Sequence, residues 1–499
     1  MVGAVLATTI GLILKGYGIR SAELYTLTSL PGELWLSSLK LFVLPLISAQ
    51  LVCAVSSLAL SPAGPRLAAR MVGYYASTSG LAMAMGLLVA NTILLPTMSP
   101  IPLDTLPEEY ASTANDAPSD ELEAYISTYV AAFANASLSA SPLHTAALAA
   151  AEAAYVDAKP GVSIPQQIAN ILQSAAANGN IVDAASTTNL LGVVAFSIVV
   201  GLAAAKTRAT GLLALADEVT RLAMWVLARL VVLTPLGVAS LLIEQTALIP
   251  TDIIARYLGT MLLSVGTALA GHALLTLPLA LGLLSPLPLL TFARNISPVL
   301  VTAFGTSSSA ATLPTTIAVA VDSFGYPENT VSLIASTGAA CNMDSSAIKY
   351  TLISLWMAVA LDLPDKTTIS SQIFIGIVAT VTSMGAAPIP TAGVALWVVV
   401  LEGVGIPVTG LLGLVFAVEF LVDRFETVVN VLSDSVGVCI LAPYVVRNFP
   451  PSPSSPTLSA PGSSSSYSDS VLSDELLRDP EHHPLIDDAL PEDTPLVRR

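Results

Sequence analysis

Between Phe420 and Leu441 the chain reads FLVDRFETVVNVLSDSVGVCIL, apolar enough for a membrane helix yet carrying Asp423, Arg424, Glu426, Asn430 and Asp434. Ionisable groups inside a bilayer are costly unless they bind something, so such a segment marks a functional interior rather than a lipid-facing wall. Helical spacing sets Asp423, Thr427, Asn430 and Asp434 at i, i+4, i+7 and i+11, on one face. Carboxylate, hydroxyl, amide and carboxylate in one stripe make a lining suited to a cation and an ammonium group.

The remainder of the chain supplies the setting for that helix. With 54% hydrophobic and 11% charged residues over 499 positions, and a mean hydropathy of +0.76, it is too apolar for an ordinary soluble enzyme. Its long apolar runs lack the alternation of strands, and a bilayer admits only helices or closed barrels, so the runs predict membrane helices. The net charge of −16 says little about partners, because the acids sit mainly in Ile101–Asp183 and after Arg447. No nucleic-acid partner is expected. Cys53, Cys341 and Cys439 each lie in an apolar stretch without paired-ligand spacing, which argues against a disulfide framework or a zinc site.

Residues 1–95 are read as three transmembrane helices, the first a shortened span rather than a signal peptide because no basic region precedes its apolar run. Arg66 and Arg70 then fall in a cytoplasmic loop by the positive-inside rule. The hydroxyl cluster of the third span, Tyr74 to Ser79, either bonds the carbonyls of its own preceding turn or coordinates a cation. Residues 96–186, rich in Pro, Ser, Ala and acids, read as an extracellular loop with a candidate glycan site at Asn135 in Asn135-Ala136-Ser137. Spans resume in 187–284, at about Leu190–Ala205, Leu222–Leu248 and Ile253–Leu284, with His272 expected to pack or to hydrogen-bond between helices.

Residues 285–446 change pattern, because their apolar stretches are interrupted at depth. A serine run divides Val299–Val319, Asn342-Met343-Asp344-Ser345-Ser346 interrupts Leu333–Leu361, and Met384–Gly393 divides Ile373–Leu401. Irregular backbone at membrane depth is tolerated only where it is buried in protein or lines a cavity, and paired interruptions point to a transporter site built from inverted repeats. Residues 447–499 lack the apolar content to fold and read as a disordered cytoplasmic tail. Within it, Glu481, Leu485 and Ile486 fit an acidic dileucine signal for a sorting adaptor.

GTSSSAATLP (Gly305–Pro314), NMDSS (Asn342–Ser346) and DRFETVVNVLSD (Asp423–Asp434), in that order, closely resemble the dicarboxylate/amino acid:cation symporter family, which includes the excitatory amino acid transporters and the neutral amino acid exchangers. PGELWLSSLKLFVLPLI, the Tyr74-Tyr75 segment, NLLGVVAFSIVVGL and VLTPLGVASL extend the likeness over nearly everything outside the external loop and the tail. The resemblance implies an all-α polytopic membrane protein of about eight transmembrane helices and two re-entrant helical hairpins. It further implies inverted repeats, a homotrimer, and a scaffold holding an elevator-type transport domain that carries an amino acid together with sodium. No cofactor other than the coupling ions is implied, and no enzymatic activity. The plasma membrane is the expected location, with endosomal or lysosomal membranes as the other setting.

The resemblance also assigns residues. Asp423 is similar to the acid that pairs with the substrate's α-ammonium, with Asn430 beside it and Thr427 between them. Ser308 and Ser309 in the first hairpin stand where the α-carboxylate is held, and Ile389 and Gly393 belong to the second hairpin over the substrate. Asp434, Asn342, Asn430 and the backbone at Gly338 resemble one sodium site; Asp344, with Tyr75, Thr78 and Ser79, resembles another; Ser383 stands where a third forms. Oxygen donors of this kind suit a hard cation.

Three departures bear on what is carried. Glu426 stands where the acidic amino acid transporters have an arginine that clamps the side-chain carboxylate, which implies neutral or cationic substrates, because glutamate repels what arginine holds. Its other reading is a pairing with Arg424 or another internal base. Tyr350 replaces the glutamate of proton-coupled members, and Lys349 before it could neutralise Glu426 or Glu419 or stand in for a counter-transported potassium. Pro388 in the second hairpin implies a stiffer gate. The alternatives are an acidic amino acid transporter despite Glu426, or a transport-defective, anion-channel-like relative.

Overall fold

The computed structural model describes residues 2–17, 22–60, 64–100, 173, 176, 179–186, 189–249, 251–386, 393–409 and 411–448. Asn135, Pro388, Ile389 and the Glu481, Leu485 and Ile486 signal lie outside the described residues.

Every regular element among the described residues is helical. In order, the longer ones are α1 (Val2–Gly16), α2 (Ala22–Ala59), α3 (Gly64–Val89), α4 (Leu190–Thr207), α5 (Thr210–Val232) and α6 (Thr234–Leu248). There follow α7 (Thr251–Gly271), α8 (Leu277–Leu284), α9 (Ser297–Thr306), α10 (Ser309–Asp322), α11 (Glu328–Cys341) and α12 (Asp344–Ala360). The last are α13 (Ile369–Ser383), α14 (Gly393–Gly403) and α15 (Leu412–Asn448). Among the described residues, four helical stretches, Leu27–Ser57, Arg66–Thr97, Thr251–Leu284 and Leu412–Arg447, are long and apolar enough to cross a bilayer, or five if the bent pair α5 and α6 counts as one. The chain is a multi-pass membrane protein whose remaining apolar stretches are divided into shorter helices.

Proline accounts for several divisions. The span expected over Leu222–Leu248 is broken at Leu233 with a 52° bend, because Pro235 has no N–H to continue the helical ladder. Two π-turns, Ala90–Leu94 and His272–Thr276, are followed by Pro96 and Pro278, and the residues before those prolines, Leu95 and Leu277, bond back five residues to Ala90 O and His272 O. In α2, next to Pro31, the Ser240 hydroxyl enters the ladder from α6: it accepts from Gly32 N at 2.9 Å and donates to Thr28 O. A side chain inserted between a helical donor and its acceptor is an identifiable cause of helix bending.

Packing divides into two neighbourhoods. Helix α2 packs along α4, α5 and α6, and α1 along α6. Helix α12 is the hub of the other neighbourhood: it packs against α3, α7, α13, α14 and α15, and sixteen of its seventeen residues are buried. A buried helix gains about 25 cal/mol per Å² of apolar area removed from water only in a soluble protein; in a bilayer, close packing and internal hydrogen bonds carry that role. This explains why α12 can hold Asp344, Lys349, Thr351 and Ser354 in its interior, provided each finds a partner.

Candidate functional site

Two short backbone breaks converge on α15. The first joins α9 to α10. Ser307 takes a left-handed conformation, φ 49°, and its N–H closes α9 onto Ala303 O, while Ser308 caps α10 by accepting from Ala311 N at 3.2 Å. This reverses the chain in two residues and turns the N-terminus of α10 toward the cleft, which Ser307 and Ser309 line. The second break, Asn342-Met343, separates α11 from α12. Here Asn430 Oδ1 accepts from Ser345 N at 3.0 Å, supplying one of the acceptors that the first turn of a helix lacks.

The cleft between these breaks is lined on the α15 side by Asp423, Glu426, Thr427 and Asn430, and opposite by Ser346, Lys349 and Gly393. Glu426 and Asn430 are buried, while Asp423 is half-buried. Thr427 turns its hydroxyl back to Asp423 O at 2.8 Å. Arg424 does not pair with Glu426: its guanidinium donates to Phe304 O and Gly305 O, at 2.8 and 3.1 Å, and lies over Phe420, so it fastens α15 to the last carbonyls of α9.

The base that meets Glu426 is Lys349. Its Nζ donates to Glu419 Oε1 at 2.9 Å and to Glu426 Oε2, and sits 4.4 Å from the Trp397 ring centroid. All three side chains of this bridge are buried. Glu419, Asp423 and Glu426 follow one another at helical spacing on α15, and one carboxylate oxygen from each lies within 4.8 Å of the others. Removing one partner of a buried ion pair costs about 3–5 kcal/mol, because the remaining charge is left uncompensated.

Behind the cleft runs a continuous polar network. Asp344 accepts from Ser79 Oγ at 2.7 Å on Oδ1, and on Oδ2 from Ser433 Oγ at 2.6 Å, with His272 Nε2 3.2 Å away. The amide of Asn342 donates to Ser433 Oγ at 2.9 Å and to Asp434 Oδ1 at 3.1 Å, and its oxygen accepts from Thr78 at 3.3 Å. Gly338 is a site of close approach: a Cβ there would lie 2.5 Å from Asp434 Oδ1. Carboxylates, hydroxyls and amide oxygens, without a thiolate among them, are donors suited to a hard cation rather than a soft metal.

The sequence-derived residues therefore fall in distinct places. Ser309, Gly393, Asp423, Glu426, Thr427 and Asn430 share the cleft. Thr78, Ser79, Asn342, Asp344 and Asp434 share the network behind it, reached at Gly338. Ser308 is buried as the cap of α10. Tyr75 bonds Ile334 O at 3.0 Å, and Ser383 turns back to Thr380 O at 2.8 Å. Within the hydroxyl cluster Ser77 takes the local alternative, bonding Gly73 O, whereas Ser79 reaches across to Asp344. Tyr350 is buried beside Lys349, its ring centroid 5.9 Å from Nζ. Sequence reading missed Ser433 and Trp397. Ser433 lies one position before Asp434 within a polar stripe and could have been suspected; nothing local marks Trp397.

Comparison with known proteins bears on this geometry. The profile of the sodium:dicarboxylate symporter family matches residues 1–443. Among curated relatives, excitatory amino acid transporter 3 of Bos taurus is 26% identical over 454 residues, covering 88% of this chain and 84% of that protein. Excitatory amino acid transporter 2 of Mus musculus is 28% identical over 462 residues, with 88% and 77% covered. An excitatory amino acid transporter of Caenorhabditis elegans is 27% identical over 456 residues, with 88% and 86% covered. A family of symporters is a family of transporters, not of enzymes, and a helical chain whose profile match runs through both backbone breaks and the polar helix α15 belongs to the sodium:dicarboxylate symporter family.

Proposed function

We propose that the chain is a sodium-coupled secondary transporter of amino acids whose substrates are neutral or cationic rather than acidic. The observation that carries the selectivity is Glu426 on the cleft wall, bridged by Lys349 to Glu419. A substrate carboxylate brought there would face two carboxylates sharing one ammonium, an arrangement that disfavours acidic side chains.

In this reading Asp423 receives the α-ammonium and Asn430 orients it. Ser309 and the first N–H groups of α10 hold the α-carboxylate, since a helix N-terminus favours an anion. Asp434, Asn342, Asn430 and the Gly338 backbone serve one sodium ion; Asp344, Tyr75, Thr78 and Ser79 serve another, with Ser383 contributing to a third. The α2-centred neighbourhood acts as scaffold within a homotrimer, and the α12-centred one moves as an elevator between the two sides of the membrane.

Proteoliposomes loaded with the full chain and given an inward sodium gradient test this. Labelled neutral or cationic amino acids should accumulate, and replacement of sodium by choline should abolish accumulation. Absence of gradient-driven uptake for every amino acid would sink the proposal.

A further inference from the structure

The Lys349 ammonium occupies a place built for a cation. It is enclosed by Glu419 Oε1, Glu426 Oε2 and the face of Trp397, so two carboxylates and an aromatic ring already converge on it. These are the groups that would recognise the side-chain ammonium or guanidinium of a dibasic amino acid. Lys349 itself lines the cleft, so its niche opens toward the substrate rather than away from it.

A second, independent feature marks the open remainder of that niche. Among the described residues, Trp397, only 1% exposed, has no partner for Nε1, and neither have Tyr350 Oη, Glu426 Oε1 and Glu419 Oε2. At Gly393, which lines the cleft, a Cβ would lie 2.9 Å from Tyr350 Oη, 3.7 Å from Trp397 Nε1 and 3.8 Å from Lys349 Nζ. An indole N–H, a phenol and two carboxylate oxygens are thus left without partners around the ammonium. A hydroxyl or a carboxamide can both accept from the indole and donate to a carboxylate, whereas an ammonium can only donate and an apolar side chain does neither.

We propose that Lys349 is a tethered occupant of the side-chain subsite, a surrogate for a cationic side chain, which restricts the substrate to neutral amino acids bearing a hydroxyl or carboxamide. This rests on the amino acid transport reading and narrows it. Lys349 then sets specificity by occupying the niche, Glu419 is the positioning residue that holds it there, and the part of the cleft beside Gly393, bordered by Tyr350 Oη and Trp397 Nε1, receives the substrate's polar group.

The test uses full-length protein in proteoliposomes under a sodium gradient, with labelled serine, glutamine, norleucine, lysine and arginine. Wild type should take up serine or glutamine at least about tenfold better than norleucine, lysine or arginine, the factor that a single well-made hydrogen bond supplies. Lys349→Ala empties the niche and should gain lysine or arginine uptake. Lys349→Met, which fills the space without charge, should not. Because the alanine variant leaves two buried carboxylates, Lys349→Ala combined with Glu419→Gln retains one carboxylate for an incoming cation and should show the same gain if the single variant does not fold. Lysine uptake equal to serine uptake in wild type overturns the proposal. So does norleucine uptake equal to that of glutamine, or failure of both niche-emptying proteins to gain a cationic substrate. A wild type that accumulates no amino acid overturns the transport reading itself, and is recognised before any variant is made.

Discussion

Ser433 on α15 donates its hydroxyl to Asp344 on α12 at 2.6 Å and accepts from Asn342 on the break before that helix at 2.9 Å. One hydroxyl thereby joins the two carboxylate neighbourhoods assigned to sodium, since Asn342 also donates to Asp434.

Replacing Ser433 with Ala should affect both neighbourhoods together. Asp344 loses one of its donors, and one Asn342 amide hydrogen is left buried without an acceptor, at a cost of about 1–3 kcal/mol. The expected outcome is a lower melting temperature in detergent together with a weaker stabilisation by added sodium, read by thermal unfolding across a sodium titration. Unchanged sodium stabilisation would confine Ser433 to a packing role.

Gly338→Ala tests the close approach to Asp434. A methyl group 2.5 Å from Oδ1 forces the carboxylate or α11 to move, and overpacking of this kind costs about 1–3 kcal/mol. Sodium should then be required at about tenfold higher concentration for half-maximal uptake, since about 1.4 kcal/mol is a factor of ten.

Asp423→Ala removes the carboxylate assigned to the α-ammonium. Uptake of every α-amino acid should fall about a hundredfold, from the roughly 1.5–3 kcal/mol carried by a charge-assisted hydrogen bond. Survival of uptake in a folded variant would reassign that residue.

Glu426→Arg reverses the charge on the cleft wall and leaves Lys349 bridged to Glu419 alone. Preference should move toward glutamate and aspartate, measured as the ratio of their uptake to that of serine. An unchanged ratio would make Glu426 a structural partner of Lys349 without contact with substrate.

The chemistry of α15 was legible because a charged stripe in an apolar run is a local pattern: Asp423, Thr427, Asn430 and Asp434 lie where helical spacing puts them. The division at Ser307-Ser308 and at Asn342-Met343 was legible for the same reason. The sequence offers Lys349 as a neutraliser of Glu426 or Glu419; that it bridges both follows from the packing of α12 on α15, across 70 and 77 positions of sequence, which no local pattern encodes. Arg424, the neighbour two positions from Glu426, points instead to the α9 carbonyls. The bend at Leu233 was hidden in an apolar run of ordinary spanning length, although Pro235 marked it. His272 was expected either to pack or to bond between helices, and the carboxylate it meets, Asp344, lies 72 positions away.

The sharpest test of the selectivity assigned to the Lys349–Glu426 pair is the ratio of sodium-driven serine uptake to glutamate uptake by the wild-type protein in proteoliposomes, at equal concentrations. Like charges brought together in a desolvated site cost several kcal/mol, so a ratio above about a hundred is predicted. Glutamate uptake equal to or greater than that of serine would contradict it.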